Sequence, residues 1–75
     1  MLAYRRINIE NEGETLKKGI AIVYKNGRKD WFDPVDSEVR DGNILYITIE
    51  NGNVYDVNMQ DVKIMAYYSI IAKEG

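Results

Sequence analysis

From residue 44 onwards, apolar and polar side chains take turns. Leu45, Ile47 and Ile49 share one parity, with Tyr46, Thr48 and Glu50 on the other; further on, Tyr55, Val57 and Met59 alternate with Asp56 and Asn58. A period of two is that of a β-strand with one dry and one wet face. A two-residue Asn51-Gly52 loop between the runs would set Ile47 opposite Asp56 and Leu45 opposite Asn58, placing polar groups in the dry face. A three-residue loop, Asn51-Gly52-Asn53, instead pairs Ile49 with Tyr55, Ile47 with Val57 and Leu45 with Met59. A slip of one residue turns every side chain over, so the pattern selects the three-residue loop, with φ > 0 expected at Asn53. Residues 60–62 are too few for an α-helix and suit a single 3-10 turn. From Lys63 a last strand follows, with Ile64 and Ala66 expected inside.

Upstream, residues 20–25 read as a strand running into Asn26-Gly27, a strong hairpin signal. A two-residue loop there sets Ile22 across from Trp31 and Ala21 across from Phe32. Both faces of this hairpin are apolar, with Ile20, Ile22, Tyr24 and Trp31 on one and Ala21, Val23 and Phe32 on the other. A sheet with one solvated side does not call for a second apolar face; a covered barrel wall or a subunit interface does. Asp33-Pro34 closes the strand, and residues 35–43 read as an acidic connecting loop. Residues 2–10 read as an edge strand on which Arg5 and Arg6 discourage unwanted pairing, and residues 11–14 as a polar turn. Residues 15–19 fit a loop or a short strand, and residues 72–75 are expected to fray.

These elements predict one domain over residues 1–75. It is an all-β antiparallel barrel or rolled sheet of five to six strands with one 3-10 corner, an arrangement of the SH3-like or Sm-like kind. The expected core is Ile20, Ile22, Trp31, Leu45, Ile47, Ile49, Val57, Met59, Ile64 and Ala66. Seventy-five residues are close to the smallest chain that sustains a core, since a domain of about 60 residues buries only about 60% of its unfolded surface. With no cysteine in the chain, disulfides and thiolate metal sites are excluded. Stability must come from packing or from association with further copies.

Composition narrows the chemistry. The absence of histidine and cysteine removes the commonest general base and the strongest nucleophile. Asp30, Asp33, Asp36, Glu38 and Asp41 have the carboxylates of a hard-cation site but lack the D-x-D-x-D-G spacing of a calcium loop, and read as a solvated acidic segment. Glu10, Glu12 and Glu14 raise glycoside hydrolysis, which needs two acids flanking a cleft that so small a domain has little room for. The chain is expected to be non-enzymatic, without metal or cofactor. A net charge of −2 disfavours a dedicated nucleic-acid binder. The N-terminal stretch lacks the apolar region of a signal peptide, and no run reaches membrane-spanning length, so the expected location is the cytoplasm.

The aromatic residues point to binding. Tyrosines that join an apolar ring to a polar tip are enriched at interfaces. Tyr67 and Tyr68 are adjacent, so on a strand one must leave the core, as must one of Ile70 and Ile71. Together with Tyr46 these form the expected protein interface, a surface for self-association or for a partner strand. Lys25, Arg28 and Lys29 flank one tight turn beside Tyr24 and Trp31. They are the candidate contacts of the alternative, a small barrel that binds nucleic acid by charge and stacking.

The run Val23-Tyr24-Lys25-Asn26-Gly27-Arg28-Lys29-Asp30-Trp31-Phe32-Asp33-Pro34-Val35, followed by the strand at 44–50, Tyr55 and Asp61-Val62, resembles small uncharacterised proteins of bacteriophages and of prophages in Gram-positive bacteria. The likeness covers about two thirds of the chain. It implies a phage or mobile-element origin in a bacterial host. The trades it suggests are a virion or assembly component, or an inhibitor of a host protein. It assigns no activity to any residue.

Overall fold

The computed structural model describes residues 14–73. The strand expected over residues 2–10 lies outside them, as does the turn at 11–14 apart from Glu14. Six strands follow in order: β1 (Glu14–Tyr24), β2 (Lys29–Phe32), β3 (Val35–Asp41), β4 (Ile44–Ile49), β5 (Val54–Asn58) and β6 (Val62–Lys73), with a 3-10 turn at Met59–Asp61 before the last. They form two three-stranded antiparallel sheets, β2-β1-β6 and β3-β4-β5. The all-β reading holds, and the 3-10 corner sits one residue earlier than expected, capped by the Asn58 side chain accepting from the Gln60 amide. Among the described residues no helix is long and apolar enough to cross a membrane.

Both Asn-Gly hairpins close with the same turn. Its loops are Lys25-Asn26-Gly27 and Glu50-Asn51-Gly52, with glycine in third place at φ 94° and 96°. Tyr24 N donates to Arg28 O at 2.8 Å and Gly27 N to Tyr24 O at 2.9 Å; Ile49 N donates to Asn53 O at 3.0 Å and Gly52 N to Ile49 O at 2.9 Å. In each, the asparagine Oδ1 accepts from the amide two residues on. A left-handed backbone suits glycine better still than asparagine, and the turn places Gly52, not Asn53, at positive φ. Consequently Ile47 faces Tyr55 and Leu45 faces Val57, two residues from the expected pairing, which leaves the faces unchanged. In the first hairpin the displacement is one residue: Ala21 faces Trp31 and Ile20 faces Phe32. There the faces exchange.

Residues expected to form a loop are the strand β3. Its side chains are largely exposed, so it carries no dry stripe to betray it, as suits a charged edge. A bulge at Asp36 interrupts its register with β4, and Gly42-Asn43 joins the two strands, with Gly42 at φ 62°.

The core joins the sheets through Ile20, Ile22 and Phe32 on one side and Leu45, Ile47 and Val57 on the other, with Ile49, Val62 and Met65 packed against it and Met59 partly buried beside them. Each fully buried aliphatic side chain contributes about 1.5–3 kcal/mol. Trp31, Ile64 and Ala66, expected inside, lie at the surface. Trp31 follows from the exchanged faces. Ile64 and Ala66 follow from a second bulge: Tyr24 pairs with Val62 and Val23 with Ile64, so Lys63 is an additional residue that reverses the parity of β6 and brings Met65 inward.

Candidate interaction surface

β1 pairs with β6 along its whole length, but β2 covers β1 only from Ile20 to Val23. The rest of β1 and β6 projects as a two-stranded ribbon. It gives the described chain a long dimension of 42 Å against 25 and 17 Å, close to the reach of a twelve-residue strand at about 3.3 Å per residue.

Residues directly opposite one another share a face. On the outer face of the first sheet one row is therefore Trp31, Ala21 and Ala66, and the next is Lys29, Val23 and Ile64. Trp31 is 63% exposed and Ile64 53%. The small Ala21 on the middle strand and Ala66 beside it on β6 leave the indole and the isoleucine standing above the sheet. The result is an apolar strip across three strands with nothing described over it.

One row beyond, Gly19 faces Tyr68. The absent side chain of Gly19 makes room for the tyrosine ring, which crosses β1 and donates its hydroxyl to Asp33 Oδ2 at 2.5 Å. Partial burial, and then the Asp33 carboxylate, push the Tyr68 phenol up to about 12. Glycine inside a strand often marks such a close approach.

The five residues of the expected protein interface do not form one patch. Tyr68 and Ile70 have the parity of the outer face, half-buried, while Tyr67 and Ile71 have the opposite parity and are exposed at the ribbon. The Tyr67 hydroxyl donates to Glu38 Oε1 at 2.8 Å, and the Lys18 ammonium reaches Glu38 Oε2 at 2.6 Å while lying 5.3 Å from the Tyr67 ring centre. This knot ties the ribbon to β3. Burial pushes the Glu38 carboxyl up, but its bonds from Lys18 and Tyr67 outweigh that and hold it below its ordinary value. The hydrogen bond to Glu38 raises the Tyr67 phenol. Tyr46 stands apart, on the outer face of the second sheet across from Val39.

The basic hairpin tip is partly spent on itself. Arg28 bonds Asp30 at 3.1 Å and lies 4.8 Å from the Tyr24 ring centre, and Tyr24 also donates to Asp30 at 2.9 Å. Lys25 and Lys29 are exposed beside it. The candidate acidic cation site is likewise dispersed: Asp30, Asp33 and Glu38 each serve a different partner.

Compared with protein families, with curated proteins and with solved structures, the chain matches none.

The exposed strip therefore rests on geometry alone. Apolar residues on both faces of the first hairpin signalled it in the sequence, but the side to which Trp31 belongs required the turn. Gly19 and Asp33 carried no periodic signal of their own.

Proposed function

We propose that this chain is a non-enzymatic accessory protein of phage type that works by binding protein, associating with copies of itself through the outer face of the first sheet. The observation that carries the reading is the strip of Trp31, Ala21, Ala66, Val23 and Ile64, apolar across three strands and uncovered by the described residues. Exposed apolar surface of this kind marks interaction sites, and a central tryptophan is a favoured anchor. The outward edge of β6, without a strand partner among the described residues and with Tyr67 and Ile71 exposed along the strand, offers a second means of association by strand addition. The resemblance of the first hairpin to phage and prophage proteins supports the origin, and with it the cytoplasm of a bacterial host and a role in a virion or against a host protein. In this reading the two sheets form a small SH3-like or Sm-like barrel, an arrangement supported by the 3-10 corner before a last strand that returns to β1.

Sedimentation velocity over a wide concentration range tests the proposal. The chain is expected to gain mass with concentration, and Ile64→Lys to remain a monomer while keeping its circular dichroism. A mass independent of concentration, or association unaffected by Ile64→Lys, overturns it. Nucleic-acid binding through Lys25, Arg28 and Lys29 would instead give retention on an oligonucleotide column that falls steeply with salt.

A further inference from the structure

A separate feature lies on the opposite side of β2 from β1. β2 ends one sheet and β5 ends the other, and neither outward edge has a strand partner among the described residues. Residues of both strands line a groove of about 430 Å³ between them. Phe32 and Tyr55 form its floor, their ring centres 5.2 Å apart. Both have the inward parity, being paired with the buried Ile20 and Ile47. Asp33 and Asp56 line the same groove with the outward parity, Asp33 next to Phe32 and Asp56 opposite Tyr46. Arg28, the cation in the lining, is already bonded to Asp30. The groove thus presents aromatic surface inward, and outward two carboxylates, of which Asp33 accepts from the neutral Tyr68 hydroxyl and keeps its charge, between strand edges that have no strand partner among the described residues.

We infer that this groove takes a short extended peptide segment of another protein whose side chains alternate apolar and basic. A strand laid along the edge of β2 or β5 presents side chains to alternate faces. Its apolar positions would cover Phe32 and Tyr55, and its lysines or arginines would meet Asp33 and Asp56. An acidic or nucleic-acid ligand meets the wrong charge here. The groove borders the strip of the first sheet, since Trp31 lines it too; Ile64 belongs to the strip alone and Asp56 to the groove alone.

The test uses the full chain and two fluorescein-labelled hexapeptides, one alternating arginine with valine and one alternating glutamate with valine. Fluorescence anisotropy should rise with the arginine peptide and not with the glutamate peptide, and binding should weaken between low and high salt. Asp56 is exposed, so Asp56→Lys should keep the fold and weaken the arginine peptide at least about tenfold. Asp41→Lys, the same change of net charge at the end of β3, two strands across the sheet from Asp56 and outside the groove's lining, should leave affinity within about twofold. Amide shifts in a titrated spectrum should fall on β2 and β5. No binding at millimolar protein, equal effects of Asp56→Lys and Asp41→Lys, or shifts confined to β6 would each overturn the inference. Crossing the tests separates the two surfaces: Ile64→Lys should still bind the peptide, and Asp56→Lys should still self-associate.

Discussion

Gly19→Ala is the sharpest probe of how the ribbon joins the body. A Cβ at this position falls within the Tyr68 ring, against Cε2 and Cζ, and 2.8 Å from the hydroxyl oxygen. The β1–β6 ladder fixes both backbones, so the ring has to swing away. That forfeits its hydrogen bond to the Asp33 carboxylate, about 1.5 kcal/mol at this exposed end. It also uncovers on the order of 40 Å² of apolar surface, about 1 kcal/mol at roughly 25 cal/mol per Å². The lower entropy of the unfolded alanine chain offsets about 0.7 kcal/mol, leaving a destabilisation of about 2 kcal/mol. In a Tyr68→Ala background the obstruction is gone, and the same substitution should be neutral or stabilise by up to about 0.7 kcal/mol. Urea denaturation followed by circular dichroism measures all four proteins. One protein concentration must serve throughout, because association adds to apparent stability. A coupling between the two sites of about 2.5 kcal/mol is expected. Equal costs of Gly19→Ala in both backgrounds, or no cost in either, would refute the reasoning.

Phe32→Ala should destabilise by about 3–4 kcal/mol and Trp31→Ala by less than about 1 kcal/mol in the same denaturation experiment; the reverse order would return the first hairpin to a two-residue loop. Gly27→Ala and Gly52→Ala should each cost about 1–2 kcal/mol, since both hold positive φ with open space around the Cβ position, and a negligible cost at either would remove the left-handed turn. The folded chain keeps the Tyr68 proton where the unfolded chain, with an ordinary value of 10, has lost it. This contribution is therefore complete below pH 10 and disappears as pH rises through about 12. Tyr68→Phe should flatten that alkaline decline, and an unchanged curve would count against the bond to Asp33. The lowered Glu38 carboxyl acts at the other end, its share present above the ordinary carboxylate value and lost as pH falls through the depressed one. Glu38→Gln should shrink the acid limb in a pH series of melts.

Strand content, the 3-10 corner and most of the core were legible because Ile20, Ile22, Leu45, Ile47 and Val57 sit on a clean period of two. What escaped the pattern was register. An Asn-Gly pair fits two-residue and three-residue loops alike, with glycine at positive φ in both; what decides is the asparagine, left-handed in the two-residue loop and not so here. In the first hairpin that single position exchanged Trp31 and Phe32 between core and surface. Along β6 both parities are apolar, so the sequence offered nothing to reveal the additional residue at Lys63 or the outward turn of Ile64. β3 was invisible for the opposite reason, having almost no buried side chain to mark it. The outer strip and the seam between β2 and β5 both depend on these registers, which is why neither could be drawn from periodicity.

The ribbon also bears on the order in which the molecule assembles. Each hairpin closes between neighbours in the chain, but β1, paired with β2 along one edge, meets its partner on the other edge in β6, after every intervening strand has been made. Contacts between distant segments are slow to form because the loop must close before they repay its entropy. During synthesis this second edge of β1 has no partner among the described strands until β6 leaves the ribosome. In that interval a neighbouring nascent chain competes with the native partner, and crowded expression should favour exchanged or aggregated forms over the finished fold.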